Sequence, residues 1–307
     1  MATATYPARE LPCTALARLN PDGSALVLSG TQDIGTGTYT IMTQIAADAL
    51  GLPIERVHFD LGDTQYPEAP LSAGSSTASS AGSAVRMTCL ALRDELIRLA
   101  VADVRSPLHG LHPGDIEAFG GTLAARGDRK RSESCGDVVK RNRRGPLEVR
   151  FSEKEKPSRR RYSCHSFGAQ FAEVSVDEEL GIVRVRKLLG AFAAGRFLNR
   201  KTARNQLMGG MVWGLGFALE GRTVRDLRTG RLVTKDLADY HLPSNLDCPE
   251  IEVIMIDEDD PYVNDVGAKG IGEIGNVGSA AAIANAVYHA TGKRVRDLPI
   301  TLDKLMS

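Results

Sequence analysis

The sequence predicts an α+β fold built as two mixed sheet-and-helix subdomains, and three observations carry that expectation. Short alternating runs suited to strands are interleaved with longer stretches of helical periodicity, rather than grouped as all-strand or all-helix blocks. A strand, glycine loop, helix, strand pattern occupies residues 15–61, and a second small-residue loop opening a helix follows from residue 71. A polar, strongly basic stretch over residues 126–161 then divides a first subdomain, 1–125, from a second, 162–307. At 307 residues with 42% apolar content, the chain has enough length and hydrophobicity to bury a core on each side of that stretch.

Residues 15–29 alternate around Asp22-Gly23, which reads as a β-hairpin. Gly30-Thr-Gln-Asp-Ile-Gly-Thr-Gly37 forms a loop before an amphipathic helix with Ile41, Ile45 and Ala49 on one face and Gly51 as its stop. Val57-His-Phe-Asp-Leu reads as a strand after the Pro53 break. Residues 71–83, Leu-Ser-Ala-Gly-Ser-Ser-Thr-Ala-Ser-Ser-Ala-Gly-Ser, form a hydroxyl-rich loop, and Val85, Cys89, Leu92, Leu96 and Leu99 mark the buried face of the helix behind it. A flexible linker is the plainer reading of so many Ser and Ala residues. The strongly periodic helix that follows directly argues against it.

Residues 126–161 hold fourteen Lys and Arg against six Asp and Glu, without the pattern of aromatic residues between charges that a base-stacking surface needs. The stretch reads as a solvated connector or a docking surface for a partner subunit. Beyond it, residues 167–176 and 182–189 read as two strands joined across a turn at 177–181. The helix expected over 203–219 contains Gly209, Gly210, Gly214 and Gly216. Each weakens a helix by about 1 kcal/mol relative to Ala, which makes sense where another backbone or a cofactor lies hard against it. Residues 239–244 are irregular, and 251–256 form a strand.

That strand feeds a segment, 265–278, with five glycines (Gly267, Gly270, Gly272, Gly275 and Gly278) and a single mid-loop carboxylate, Glu273, after which an Ala-rich helix begins. Glycine permits positive φ and close approach to a ligand, and a helix that starts at such a loop presents unpaired N–H groups to an anion. Glu273 is therefore expected as a positioned base beside a phosphate-bearing ligand, with Lys269 as the local positive charge.

Other classes are disfavoured. Lys plus Arg equals Asp plus Glu at 38 each, so the overall charge gives no lean toward nucleic acid. No apolar run approaches the roughly 18 residues of a membrane span, and the first residues lack a signal-peptide pattern. Five cysteines stand singly, so neither a disulfide framework nor a zinc or iron–sulfur pattern is present. His109 and His112 flank Gly110 ahead of Pro113 and read as part of a turn, so no metal ligand set is expected. Simple nucleotide binding lacks both a Walker-type Gly-Lys-Ser or Gly-Lys-Thr and the dinucleotide glycine spacing.

Gly267-Ala-Lys-Gly-Ile-Gly-Glu273-Ile-Gly resembles the loop that carries the active-site glutamate in the molybdenum-binding subunit of the xanthine dehydrogenase and aldehyde oxidase family. Three more segments resemble that family in its own order: Gln32-Asp-Ile-Gly-Thr-Gly, Ala73-Gly-Ser-Ser-Thr-Ala-Ser, and Gly195-Arg-Phe-Leu-Asn followed by Gln206-Leu-Met-Gly-Gly. The resemblance covers nearly the whole chain and implies the C-terminal half of such a subunit, with two molybdopterin-binding subdomains packed around a cofactor cleft. It implies a molybdopterin with molybdenum, often as a cytosine dinucleotide in bacteria. Gly35, Thr36, Gly37, Ser75, Ser76, Thr77, Ala78, Ser79 and Gln206, together with Lys269, Gly270 and Ile271, would contact the cofactor. Glu273 would be the base that takes a proton from the metal's hydroxyl ligand as an aldehyde or N-heterocycle is hydroxylated with water-derived oxygen.

The implied partners are the N-terminal half of the molybdenum subunit as a separate chain, an iron–sulfur subunit and a flavin subunit carrying FAD. The expected compartment is the cytoplasm, or the periplasm where a partner supplies export. Two local departures stand out: Ala193 and Ala194 lie where the family commonly has an acidic residue, and Arg200 where proline is usual. The competing reading is a truncated, catalytically inactive remnant or an assembly module that keeps the fold. Thr36 and the serines then serve as helix caps, and Gln206 and Glu273 as surface groups.

Overall fold

The computed structural model describes residues 1–143, 145–153 and 162–306. Compact units follow contacts rather than chain order. Residues 9–163 and 261–268 make one, the N-terminal unit, and residues 1–8, 164–260 and 269–307 make the other, the C-terminal unit. These limits differ from a division at 125 and 161, because the first strand, β1 (Ala2–Pro7), pairs antiparallel with residues 165–170. Residues 265–268 of the glycine-rich segment likewise belong with the N-terminal unit, together with 261–264 before them, and Lys269 onward with the other.

In the N-terminal unit the expected hairpin forms from β2 (Cys13–Leu19) and β3 (Ala25–Leu28), with Gly23 at φ +83° in its turn. Helix α1 (Thr38–Leu50) ends at Gly51 in the left-handed conformation. Its buried face centres on Met42, Ile45, Ala46 and Ala49, with Ile41 only half-buried. Strand β4 (Val57–Asp60) returns parallel to β3. Helix α2 (Thr77–Ala102) buries Val85, Cys89, Leu92 and Leu96 as expected, while Ile97 and Ala100 are buried and Leu99 is half-buried.

The hydroxyl-rich stretch expected as a loop is mostly helix: Thr77–Ser83 are its first two turns, and Ser79, Ser80, Ala81, Gly82 and Ser83 are buried. Small residues are needed there because the helices are close. A Cβ on Gly82 would stand 3.1 Å from Ile45 Cδ1 and 3.6 Å from Val266.

The basic stretch is also corrected for its described residues. Strand β5 (Ile116–Phe119) pairs with β6 (Thr122–Ala125), and β6 with β7 (Asp128–Ser134) in a three-stranded sheet. Helix α3 (Cys135–Asn142) follows, and β8 (Leu147–Glu153) joins the first sheet beside β2, giving the order β4-β3-β2-β8. Period-two alternation survives beneath the charges: Leu147 is buried and Val149 half-buried, whereas Glu148 and Arg150 face out. Some of the positive charge is also paired, since Arg141 binds Asp103 and lies 2.6 Å from Glu133. Residues 144 and 154–161 lie outside the described residues.

The C-terminal unit is built on a four-stranded sheet, β1-β9-β10-β11, of β9 (His165–Asp177), β10 (Ile182–Ala193) and β11 (Glu250–Ile256) with β1. β9 and β10 form the expected hairpin across Gly181, and β11 lies parallel to β10. Helices α4 (Arg200–Leu219), α5 (Gly272–Val277) and α6 (Ser279–Thr291) pack with one sheet face around Leu188, Phe192, Leu207, Met211, Ile274 and Ile283. Full burial of each such side chain contributes roughly 1.5–3 kcal/mol. The short helix α7 (Leu302–Met306) closes against the Gly181 turn. Phe167, Phe171, Ile254 and Ile256 remain exposed on the sheet. Among the described residues, no helix is long and apolar enough to cross a membrane.

The glycines of α4 find the close backbone expected of them. A Cβ on Gly210 would lie 2.3 Å from the Gly272 carbonyl oxygen, and one on Gly275 would lie 2.6 Å from the Leu207 carbonyl oxygen. A Cβ on Gly214 would lie 2.4 Å from Ser279 Cβ. Helices α4 and α5 therefore touch main chain to main chain.

Candidate functional site

In the N-terminal unit the loops at 30–37 and 71–76 are held together by a Gln32–Ser72 pair. Gln32 Oε1 accepts from the Ser72 N–H at 2.8 Å, and the Ser72 hydroxyl donates to the Gln32 carbonyl at 3.1 Å. Two loops about forty residues apart in sequence are thus joined within one unit.

The donors expected at the first loop are largely occupied. Gly35 and Gly37 adopt φ +94° and +84°. Their N–H groups donate to Asp33 Oδ1 at 2.9 and 3.3 Å, and Tyr39 N–H donates to Asp33 Oδ2 at 3.3 Å. Asp33 therefore caps α1 from upstream, where the N-cap residue Gly37 offers no side chain. Burial alone would raise the Asp33 carboxyl, but the N–H groups of Tyr39, Gly35, Gly37 and Thr38 outweigh it and hold its pKa below the ordinary value.

A group with a depressed folded-state pKa stabilises fully above its unfolded value, about 3.9 for Asp. That contribution is lost as pH falls through the folded value. Asp33→Asn puts an amide NH₂ where one of the two accepting oxygens stood, and is therefore expected to cost about 1 kcal/mol near neutral pH, with the difference from the unaltered chain shrinking in acid. Thermal unfolding of both chains from neutral pH down into the acid range checks it.

At the second loop, Ser75 has φ +53°, unusual for a residue with a Cβ. The Ser76 hydroxyl is buried and donates to the Ala73 carbonyl at 2.9 Å. Ser79 is buried too, its hydroxyl bonded to the carbonyls of Arg9 and Ser76. Thr36, Thr77 and Ala78 are half-buried, with Thr36 Oγ1 3.2 Å from Thr38 Oγ1 and Thr77 Oγ1 donating to Ser72 Oγ at 3.3 Å. No side chain caps the start of α2, so the groups there able to meet an anionic ligand are the first-turn main-chain N–H groups at Thr77 and Ala78.

In the C-terminal unit, Glu273 lies in the first turn of α5 rather than in an open loop, and it is half-buried. Gln206 is half-buried on α4, next to Leu207, whose carbonyl meets α5. Its amide makes no hydrogen bond to another described residue, which leaves both its donor and its acceptor for a ligand. Gly270 is buried and its carbonyl accepts from Ser166 Oγ at 3.0 Å, while the Ile271 side chain packs on the core.

The free positive charge expected at Lys269 is corrected. Lys269 is 5% exposed, and its ammonium lies 2.9 Å from both Glu258 Oε1 and Asp260 Oδ2. Burial would lower its pKa, but the hydrogen bonds and charges of those two carboxylates outweigh it and hold the pKa raised.

Around Gly195, where the sequence has alanines in place of an acidic residue, a carboxylate comes from elsewhere. Gly195 N–H donates to Glu258 Oε2 at 3.1 Å. Arg200, in place of proline, pairs with Asp257 at 2.7 Å, and Asn199 Oδ1 caps α4 at the N–H groups of Lys201 and Thr202.

A separate cleft of about 760 Å³ in this unit, lined by the start of β10, the end of α4 and α7, includes none of Gln206, Lys269 and Glu273. Sequence reading missed Gln32, Asp33, Ser166, Gln170 and Glu258 as site-building residues. For Ser166 and Gln170 a signal existed: polar residues on alternate positions of a strand, where a buried face demands partners.

The model for the molybdopterin cofactor-binding domain matches residues 1–249. The chain is 41% identical over 289 residues to the aldehyde oxidoreductase molybdenum-binding subunit PaoC of Escherichia coli K12, covering 94% of this chain and 37% of that protein. It is 27% identical to the 6-hydroxypseudooxynicotine dehydrogenase complex subunit gamma of Paenarthrobacter nicotinovorans, over 93% of this chain and 36% of that one. Quinoline 2-oxidoreductase from Pseudomonas putida 86 has the same fold, with a TM-score of 0.87 at 22% identity over 99% of this chain and 41% of that chain. The chain thus spans well under half the length of these relatives. Matched over most of its length and folded as its structural neighbours are, this chain belongs to the molybdopterin cofactor-binding domain family.

Proposed function

We propose that this chain is a molybdopterin-binding portion of a molybdenum hydroxylase that oxidises an aldehyde or an N-heterocycle with oxygen derived from water. The single observation that carries the reading is the seating of Glu273, a half-buried carboxylate, on a helix pressed against the one that bears Gln206, whose amide bonds no other described residue. The donor set suits a hydrogen-bonding, anionic cofactor. Gln206 offers both a donor and an acceptor, the first turn of α2 offers the N–H groups of Thr77 and Ala78, and Gly35 has open space beside it. When bound, the molybdopterin and its metal supply the two-electron redox chemistry. The chain's own part is to hold that ligand through Gln206 and the residues 35–37 and 75–78, and to accept a proton at the Glu273 carboxylate.

An aldehyde is the first substrate class to test, because the relative at 41% identity is an aldehyde oxidoreductase subunit. The cytosine dinucleotide form of the pterin, iron–sulfur and FAD-bearing partner subunits, a companion portion of the molybdenum subunit and a cytoplasmic setting belong to the same proposal. The exposed Phe167, Phe171, Ile254 and Ile256 on one sheet support work within a larger assembly. Co-expression with those partners is expected to yield a complex holding close to one molybdenum per copy, checked by elemental analysis of the purified complex. A stable complex without molybdenum would favour the assembly-module reading.

A further inference from the structure

We infer that Lys269 is a positioning residue that clamps the Glu273-bearing turn to the ends of β10 and β11, rather than a cation that receives the cofactor's phosphates. The inference rests on Glu273 serving as the base proposed above. The Lys269 side chain is 2% exposed, and its ammonium is shared between Glu258 and Asp260, both in the segment just after β11. One ammonium between two carboxylates leaves no surplus positive charge for an anion. Glu258 reaches on to the N–H of Gly195, and Lys269 N–H donates to the Ala194 carbonyl at 3.0 Å, so both ends of the lysine hold the exit of β10.

The same turn is fixed from β9. Ser166 Oγ donates to the Gly270 carbonyl at 3.0 Å and Gln170 Nε2 to the Gly275 carbonyl at 2.6 Å, with both side chains fully buried. Residues 269, 270 and 275 are thus tied down on either side of Glu273, and the tie at the lysine is made by charge. A buried pair that loses one partner leaves an uncompensated charge behind. Removing the ammonium should therefore release the turn rather than relax it smoothly.

Lys269→Met in the intact chain is expected to speed hydrogen exchange of the amides at 269–276 by about tenfold or more, while those in the middle of α6 keep their rates. In the assembled enzyme the same change is expected to lower kcat about 100-fold, because a base displaced by an ångström is badly placed. KM should move less than about threefold, and Lys269→Arg should recover part of the loss. Unchanged exchange at 269–276 overturns the clamp, as does a loss confined to KM or to cofactor content. Should Lys269→Met fail to fold, Glu258→Gln, which keeps an acceptor for the ammonium, is expected to give a smaller rise in exchange over the same amides, and no rise overturns the proposal. Glu273→Gln separates the two readings. Unchanged turnover in that variant removes the base assignment, while the exchange result on Lys269 stands by itself.

Discussion

Replacing Glu273 by Gln is expected to cut turnover of the assembled enzyme by about 10²- to 10⁴-fold, the usual contribution of a positioned general base. Glutamine keeps the size and hydrogen-bonding reach of the side chain and removes its ability to take a proton. The carboxylate is half-buried in the first turn of α5, and α5 is seated on α4 by contacts between glycine backbones that the substitution leaves alone. Folding and molybdenum content should therefore match the unaltered complex, and steady-state turnover normalised to metal checks the difference. Turnover within a factor of two or so of the original removes the catalytic role and favours the inactive-remnant reading, because general-base losses are far larger.

Gly210→Ala is expected to destabilise the C-terminal unit by about 2 kcal/mol or more, whereas Gly209→Ala, one residue away on the same helix, is expected to stabilise it by up to about 1 kcal/mol. Both substitutions gain the same helix propensity. They differ in what the new methyl meets. At Gly210 it would lie 2.3 Å from the Gly272 carbonyl oxygen and 3.0 Å from Gly275 Cα, main-chain atoms that cannot swing aside, while at Gly209 nothing lies within 4 Å. The only relief at 210 is to push α5 outward, and α5 carries Glu273, so a loss of turnover should accompany the loss of stability. Unfolding of the two variants side by side checks the pair, and equal midpoints would mean that the two helices do not touch as described.

Most of the secondary structure was legible in the residues because its signals are local. The Asp22-Gly23 hairpin, the Gly51 helix stop and the Gly181 turn each depend on a conformation that few residues adopt, and each forms where expected. The glycines of α4 foretold a close backbone before that backbone was known. The errors arose where composition hid a pattern. Serines and alanines at 77–83 read as a loop, yet they are the small residues that let α2 lie close to α1. The charges of residues 128–153 masked strands β7 and β8, whose alternation is set by the few apolar residues among them.

The candidate site divides in the same way. Glu273 and Gln206 were readable as motif residues, and the structure brings their helices together. Ser76, Ser79 and Lys269 were equally readable as polar groups in the right loops, but each has its polar atoms engaged inside the fold. Charge alone suggested Lys269 for an anion. The two carboxylates that claim it stand nine and eleven residues earlier in an acidic run that reads as solvated surface.

By itself, the sequence determined the α+β class, the elements with strong local signals such as the β2–β3 hairpin, α1, α2, the β9–β10 hairpin and α4, and the identity of the family through ordered motifs. Only the tertiary structure decided which polar groups remain for a ligand. Period-two hydrophobicity alone would turn Phe167 and Phe171 inward, yet Ser166 and Gln170 are the buried residues of β9 because the carbonyls of Gly270 and Gly275 need donors there. The reason is physical: dihedral preference and burial pattern act over a few neighbouring residues, whereas the cost of burying a polar group depends on a partner that arrives from a distant part of the chain.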